Sequence, residues 1–424
     1  MGRYLYSTLF YLISPLILAR LLYRSKRAPA YAKRWSERLG FMHCPPEVRG
    51  AIWVHAVSVG EVVAAVPLIE RILKQYPERP VVVTTMTPTG SARLKAALGD
   101  QVFHVYAPYD TPDCVQRLIR KIQPSALLIM ETELWPNMLH YTRKSGARVL
   151  LVNARLSERS MKGYARVGWL ARPMLQSLSS IYAQDQAGAD RFQCLGVNPQ
   201  QIEVTGSIKY DLSVADEVLE RGRQLRTQMG IARPVWIAAS THEGEDDIIL
   251  KAHKTVQDVC PEAILILVPR HPERFNDVVR LAAKVFETGV SRKSDPESIS
   301  ENTRILVGDT MGELMEMYAA SDIAFVGGSL IPRGGHNPLE PAALGLPVMM
   351  GDGTFNFAEI CAALEAAGGL HIVSEQSLSD QVLEWLKSPQ RAAQVGEQAG
   401  QFVAENRGAL DRVMALIKRD VPGL

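Results

Sequence analysis

The sequence predicts an α/β protein made of two doubly wound parallel sheets, preceded by a hydrophobic amino-terminal segment. Three observations carry this. The chain has 424 residues, more than one hydrophobic core usually organises, with 47% hydrophobic and 22% charged residues, a globular composition. From residue 51 onward, short apolar runs alternate with amphipathic stretches, the pattern of parallel strands joined by helices. That alternation occurs twice, in two series that part near Asp211.

Tyr4 to Tyr23 runs YLYSTLFYLISPLILARLLY, apolar except for Ser7, Thr8, Ser14, Pro15 and Arg20. A spanning helix needs about 20 apolar residues, so the segment suits a tilted span or an interfacial helix kinked at Pro15. A hydrophobic helix buried in the first domain is the other reading. A cleaved signal peptide fits poorly, because only Arg3 precedes the run and no small-x-small site follows it. The next stretch carries Arg24, Lys26, Arg27, Lys33, Arg34 and Arg38 against a single acid, Glu37. By the positive-inside rule this places the remainder in the cytoplasm, with the basic stretch suited to anionic headgroups. The expected division is a 1–24 membrane anchor, a 25–211 first domain and a 212–424 second domain.

In the first series, 51–57, 81–86, 102–107, 126–130, 148–154 and 180–184 read as strands, with helices over 61–76 and 91–99. In the second, 234–241, 263–270, 304–308, 322–329 and 346–351 read as strands. Two doubly wound units facing a cleft is the resulting expectation, with ligands beyond the carboxyl ends of the strands. Cys44, Cys114, Cys194, Cys260 and Cys361 are scattered without CxxC spacing and read as reduced core residues, which favours the cytosol. A net charge of +2 is too mild for a nucleic-acid binder.

Several loops are candidates for chemistry. Ser58, Val59, Gly60 and Glu61 lie where a strand turns into a helix, so Glu61 is either a reactive carboxylate held as the anion by the helix start or only a helix-start acid. Glu131 and Glu133 follow a buried strand, where they either bind substrate or hold the loop. Pro269, Arg270, His271 and Arg274 end a strand of the second series with cations suited to a phosphate or acidic sugar. Asp309 to Gly312 sit at an expected helix start, with Asp309 or Thr310 as its cap in the plainer reading.

The most pronounced local signal is FVGGSLIPRGGHNPLEPAALG, where paired glycines and a Gly-Gly-His-Asn-Pro stretch would let the backbone approach a ligand and offer its donors. This stretch includes Arg333, Gly335, His336, Asn337, Pro338, Leu339 and Glu340. Neither GxGxxG nor GxxxxGK[ST] occurs, which disfavours NAD-dependent redox chemistry and NTP hydrolysis. The nine histidines do not pair at helical zinc spacing, and no DxD-like cluster stands out.

Taken together, SVGE (58–61), TTMTPTG (84–90), METELWPN (130–137), NARLS (153–157), TGSIKYD (205–211), STHEGE (240–245), PRHPERF (269–275), GDTMGEL (308–314) and GGHNPLEPAA (334–343) resemble the 3-deoxy-D-manno-octulosonic acid (Kdo) transferases. The resemblance implies an inverting GT-B glycosyltransferase that needs no metal or other cofactor and works at the cytoplasmic face of the inner membrane. Its donor would be CMP-Kdo and its acceptor a tetra-acylated lipid A precursor. The family's general base maps to Glu61. The CMP contacts map to Pro269 and Arg270, to Met311, Gly312 and Glu313, and to Asn337, Pro338, Leu339 and Glu340. Ser58, Gly60, Glu131, Glu133, Gly335 and His336 are further substrate candidates. Lys209 is the first candidate partner for the donor's own carboxylate and Arg333 the second, both also readable as solvated basic residues.

Overall fold

A computed structural model describes residues 2–26, 29–212 and 214–424, so Arg27 of the basic stretch lies outside the described residues. The chain forms two compact units, Met1–Asp211 with Arg407–Leu424, and Leu212–Asn406.

Among the described residues the first unit holds seven strands: Ile52–His55 (β1), Val81–Thr85 (β2), Phe103–Tyr106 (β3), Ala126–Met130 (β4), Arg148–Ala154 (β5), Ser180–Ala183 (β6) and Ile202–Val204 (β7). They form one parallel sheet in the order β3-β2-β1-β4-β5-β6-β7. Side chains alternate between its faces. Ile52, Val54, Val81, Val83, Leu128 and Val152 join one core, while Trp53, Val82, Leu127, Ile129, Val149 and Leu151 join the other. Helices cover both faces, which explains why the central strands β1, β2, β4 and β5 read as largely apolar runs.

The second unit repeats the plan with Val235–Thr241 (β8), Ile264–Pro269 (β9), Val290–Arg292 (β10), Ile305–Val307 (β11), Ile323–Val326 (β12), Val348–Met350 (β13) and Leu370–Ile372 (β14). Its order is β10-β11-β9-β8-β12-β13-β14, again all parallel.

Four expectations need correction. The last residues do not belong to the second domain, because helix Ala409–Asp420 buries Leu410, Val413, Met414 and Ile417 in the core of the first unit. The Asp211 carboxylate accepts the N–H groups of Gly408 and Leu410 at this helix start, and Asp420 accepts the hydroxyls of Ser180 and Tyr182. The apolar segment is a single helix, Gly2–Ser25, and it is not a separate body: Arg3 and Ser7 bond to Asn137 of the first unit.

The basic stretch is only partly a surface. Arg38 is buried, stacks on Tyr106 and donates to the Met86 carbonyl, while Arg34 pairs with Glu37 and donates to the His104 carbonyl. These two arginines tie the segment to the sheet. Among the cysteines, all free, Cys114 and Cys361 are buried, Cys44 and Cys260 are half-buried against the cores, and Cys194 is exposed, so the core reading fails for Cys194.

Candidate functional site

In doubly wound sheets the ligand site lies where the winding reverses, beyond the carboxyl ends of the central strands. That point falls between β1 and β4 in the first unit, and between β8 and β12 in the second.

Beyond β1, helix Val59–Gln75 starts at the cap residue Ser58. Glu61 sits three residues on, and the two bond to one another. The Ser58 hydroxyl donates to Glu61 Oε1 at 2.8 Å, the Glu61 N–H reaches Ser58 Oγ at 3.3 Å, and the Val57 N–H donates to Glu61 Oε2 at 2.7 Å. The carboxylate is 6% exposed. Burial raises its pKa to about 7, and the charges of Glu133 and Glu131 add to the rise against the lowering bonds from Val57 and Ser58. The expectation of a carboxylate held firmly as the anion is therefore overturned. Desolvation outweighs the donors at the helix start. Glu61 thus fastens the helix start, and its burial places its proton affinity near neutral pH.

Beyond β4, Glu131 takes a left-handed backbone, φ +55°, which is uncommon for a residue with a side chain. Its Oε1 lies 2.6 Å from Lys209 Nζ. Lys209 is positioned by Asn153 at the end of β5, whose Oδ1 accepts the Ile208 N–H at 3.1 Å. Lys209 is thus an ion-paired group and not a freely solvated one. Glu133 accepts the Trp135 indole N–H at 3.1 Å, and Trp135 meets the ring of His55 edge-on. Around the first switch point the fold assembles three carboxylates and one lysine. Ser58 belongs here as the cap, and Gly60 lies in the first turn of the same helix.

In the second unit, the residue that organises the site is one the sequence reading did not single out. Glu245, at the start of helix Glu245–Val259 after β8, is fully buried. Its carboxylate accepts N–H groups from Gly328, Ser329 and Leu330 after β12, and from His242. This ties the two central strand ends together. The signal was present in the STHEGE block, which places an acid at a helix start directly after a central strand.

The glycine stretch folds differently from expectation. The N–H groups of Gly335 and His336 donate to the carbonyls of Gly328 and Gly327, at 2.7 and 3.1 Å. Those donors, like the ones bound by Glu245, are consumed inside the loop and are not offered to a ligand. Gly328, Gly334 and Gly335 all have positive φ, and a Cβ on Gly335 would fall 2.8 Å from the Met350 methyl. The glycines are there to let the loop fold back on itself.

What the loop presents is side chains. His336 Nε2 lies 2.9 Å from His242 Nε2 with the rings stacked, and His271 stands edge-on to His242 at 5.4 Å. Burial lowers the His242 pKa to about 4, helped by the positive charges of His271, Arg333, Arg274 and Arg270. Burial likewise lowers His336 to about 3, with Arg270 the next cause. Arg270 and Arg333 are exposed, while Arg274 is fixed by an ion pair with Asp246. Three arginines and three histidines share one electrostatic field at the ends of β8 and β9 and in the loop after β12. Such a field suits an anion.

Met311 is 65% exposed, beside Gly312 with φ +84°. Glu313 accepts the Thr310 hydroxyl and pairs with Lys293, which holds its pKa low, the Thr310 bond being the largest cause. Neither Asp309 nor Thr310 caps a helix. The helix begins at Leu314, and Asp309 is taken by Arg292 and Ser294. Asn337 Oδ1 accepts the Leu339 N–H and its amide reaches Glu340, closing the short turn that carries Pro338.

Residues 33–212 match the family described as 3-Deoxy-D-manno-octulosonic-acid transferase (kdotransferase), and residues 284–402 match Glycosyl transferases group 1. A 3-deoxy-D-manno-octulosonic acid transferase of Haemophilus influenzae is 44% identical over 423 residues, covering 99% of this chain and 98% of the relative. One of Bordetella pertussis is 34% identical, covering 98% of each. A UDP-GlcNAc 2-epimerase structure from Neisseria meningitidis, 14% identical, covers 87% of this chain and 100% of that chain with a TM-score of 0.55, which speaks for the fold alone.

Proposed function

The chain belongs to the Kdo transferase family, a group of glycosyltransferases, and from that premise we propose that it moves Kdo from CMP-Kdo to a hydroxyl of a tetra-acylated lipid A precursor, with inversion and with Glu61 as general base. In this reading the acceptor oxygen attacks the anomeric carbon of Kdo as the bond to the CMP phosphate breaks. The electron pair of that bond leaves with CMP, and the hydroxyl proton passes to the Glu61 carboxylate.

The observation that carries the proposal is the Glu61 carboxyl itself, buried, oriented by Ser58 and Val57, and raised to about 7. A base of that strength is half ionised near neutral pH and still pulls strongly on a proton. Lys209, held by Glu131, keeps further N–H donors for the carboxylate of the donor sugar, with Arg333 as the second candidate.

Donor binding falls to the second unit. Arg270 and Arg333 compensate the phosphate charge as it grows on the leaving CMP, a role cations fill without a metal. Pro269, Met311, Gly312, Glu313, Asn337, Pro338, Leu339 and Glu340 would shape the nucleotide pocket. The folded units would work on the cytoplasmic side of the inner membrane, held there by helix Gly2–Ser25.

The test is a transfer assay with CMP-Kdo and lipid A precursor, reading product mass. A product heavier by Kdo units supports the proposal, and no product from folded protein rejects it. CMP, and not UDP, should raise the melting temperature; the opposite preference would point to a UDP-sugar donor.

A further inference from the structure

Helix Gly2–Ser25 has two unlike faces. On one, Arg3 donates to Asn137 Oδ1 at 2.9 Å and meets the Tyr141 ring, and Ser7 and the Asn137 amide exchange hydrogen bonds at 3.0 and 3.1 Å. Farther along, Phe10 packs on Tyr109 and the Tyr11 hydroxyl donates to Asp113. A Cβ on Gly2 would strike the Trp169 ring at 2.6 Å, so the helix start is seated as well. Positions 3, 7 and 10 recur at the spacing of one helix face.

The seat is built for this purpose. Asn137 is fully buried, and Asp110, 2% exposed, accepts its N–H and that of Met138 while the Asp110 carbonyl takes its amide. Lifting the helix away would leave the buried Asn137 oxygen without both of its partners. On the other face Leu5, Leu9, Leu12 and Leu16 are 50 to 70% exposed, at helical spacing. Arg20, Arg24, Lys26 and Lys33 are exposed at and beyond its carboxyl end, a cationic border suited to anionic headgroups.

These two faces cannot both be served by a helix that crosses a bilayer. Residues up to Tyr11 are held against the folded unit, and Leu12 to Ser25 rise only about 21 Å at 1.5 Å per residue. The hydrocarbon core is about 30 Å thick. We propose that helix Gly2–Ser25 lies in the plane of the membrane surface, docked on the first unit through Arg3, Ser7 and Asn137, with its leucine face in anionic lipid. This rests on the membrane location proposed above and makes the protein monotopic. The first unit is then held at the surface by a rigid rib, and its orientation toward a lipid substrate is set by the Asn137 seat.

The test uses the full chain in inverted inner-membrane vesicles, with an epitope fused ahead of Met1. Protease added outside should remove the epitope without lysis, and in the Phe10→Cys, Tyr109→Cys double variant a short bis-maleimide should link the two positions, with each single variant as control. An epitope protected until detergent is added overturns the proposal, as does a chain that fails to sediment with the vesicles. Removal of the epitope without cross-linking overturns the docked geometry. Kdo transfer is measured on the same vesicles, so a correctly placed helix on an inactive chain would sink the functional reading and leave this one standing.

Discussion

Ser58 and Glu61 hold one another at the start of helix Val59–Gln75: the Ser58 hydroxyl donates to a Glu61 carboxylate oxygen at 2.8 Å, and its oxygen takes the Glu61 N–H at 3.3 Å. One hydroxyl therefore both caps the helix and restrains the proton affinity of the proposed base. Ser58→Ala should lower stability by about 1 kcal/mol through the lost cap. It should also move the rising limb of the pH–rate profile to higher pH, because a bond that lowers the Glu61 pKa is gone. A loss of stability with an unmoved limb would assign Ser58 to capping alone.

In the intact enzyme, turnover should climb as pH rises through about 7 and level off above it, since the base acts only when ionised. Steady-state rates from pH 5.5 to 9 read this directly. A profile flat across that range would remove a group of this pKa from the rate-limiting step.

The same burial has a cost in stability. The folded pKa of Glu61 lies above its ordinary value of 4.5, so the folded state takes up the proton more readily than the unfolded state. Its favourable contribution is complete below about pH 4.5 and fades as pH rises through about 7. Relative to Glu61→Gln, which cannot ionise, the natural protein should therefore lose about 2–3 kcal/mol between pH 5 and 8.5. Denaturant midpoints of both proteins at the two pH values check this, and parallel changes would contradict it.

Two substitutions separate the donor loop from the donor contact. Glu245→Ala removes the acceptor of four N–H groups and should destabilise the second unit by about 3 kcal/mol or more. Arg270→Ala, on an exposed side chain, should leave the melting temperature nearly unchanged and weaken CMP binding at least tenfold, about 1.4 kcal/mol. Unchanged CMP affinity by calorimetry in the Arg270 variant would move the phosphate site elsewhere.

The central strands were legible because both faces of each sheet are covered, which makes every residue of a run such as ALLIM apolar. The missed strands, β7, β10 and β14, are three-residue sheet edges carrying Glu203, Arg292 and His371, where burial no longer dictates the sequence. The return of Ala409–Asp420 to the first unit was hidden for another reason. It depends on Asp211 meeting N–H groups nearly 200 positions later, a pairing with no local signature. At the site, the positions of Glu61, Glu131 and Arg270 at strand ends were readable. The glycine loop misled, since φ > 0 residues mark a sharp fold-back without saying whether the freed N–H groups face a ligand or, as here, Glu245 and neighbouring carbonyls.

The most direct test of the account is turnover of Glu61→Gln, measured with CMP-Kdo and lipid A precursor alongside calorimetric CMP affinity. Turnover should fall by about 10²-fold or more while CMP affinity stays at the level of the natural protein. Near-normal transfer by that variant would contradict the assignment of Glu61 as the base.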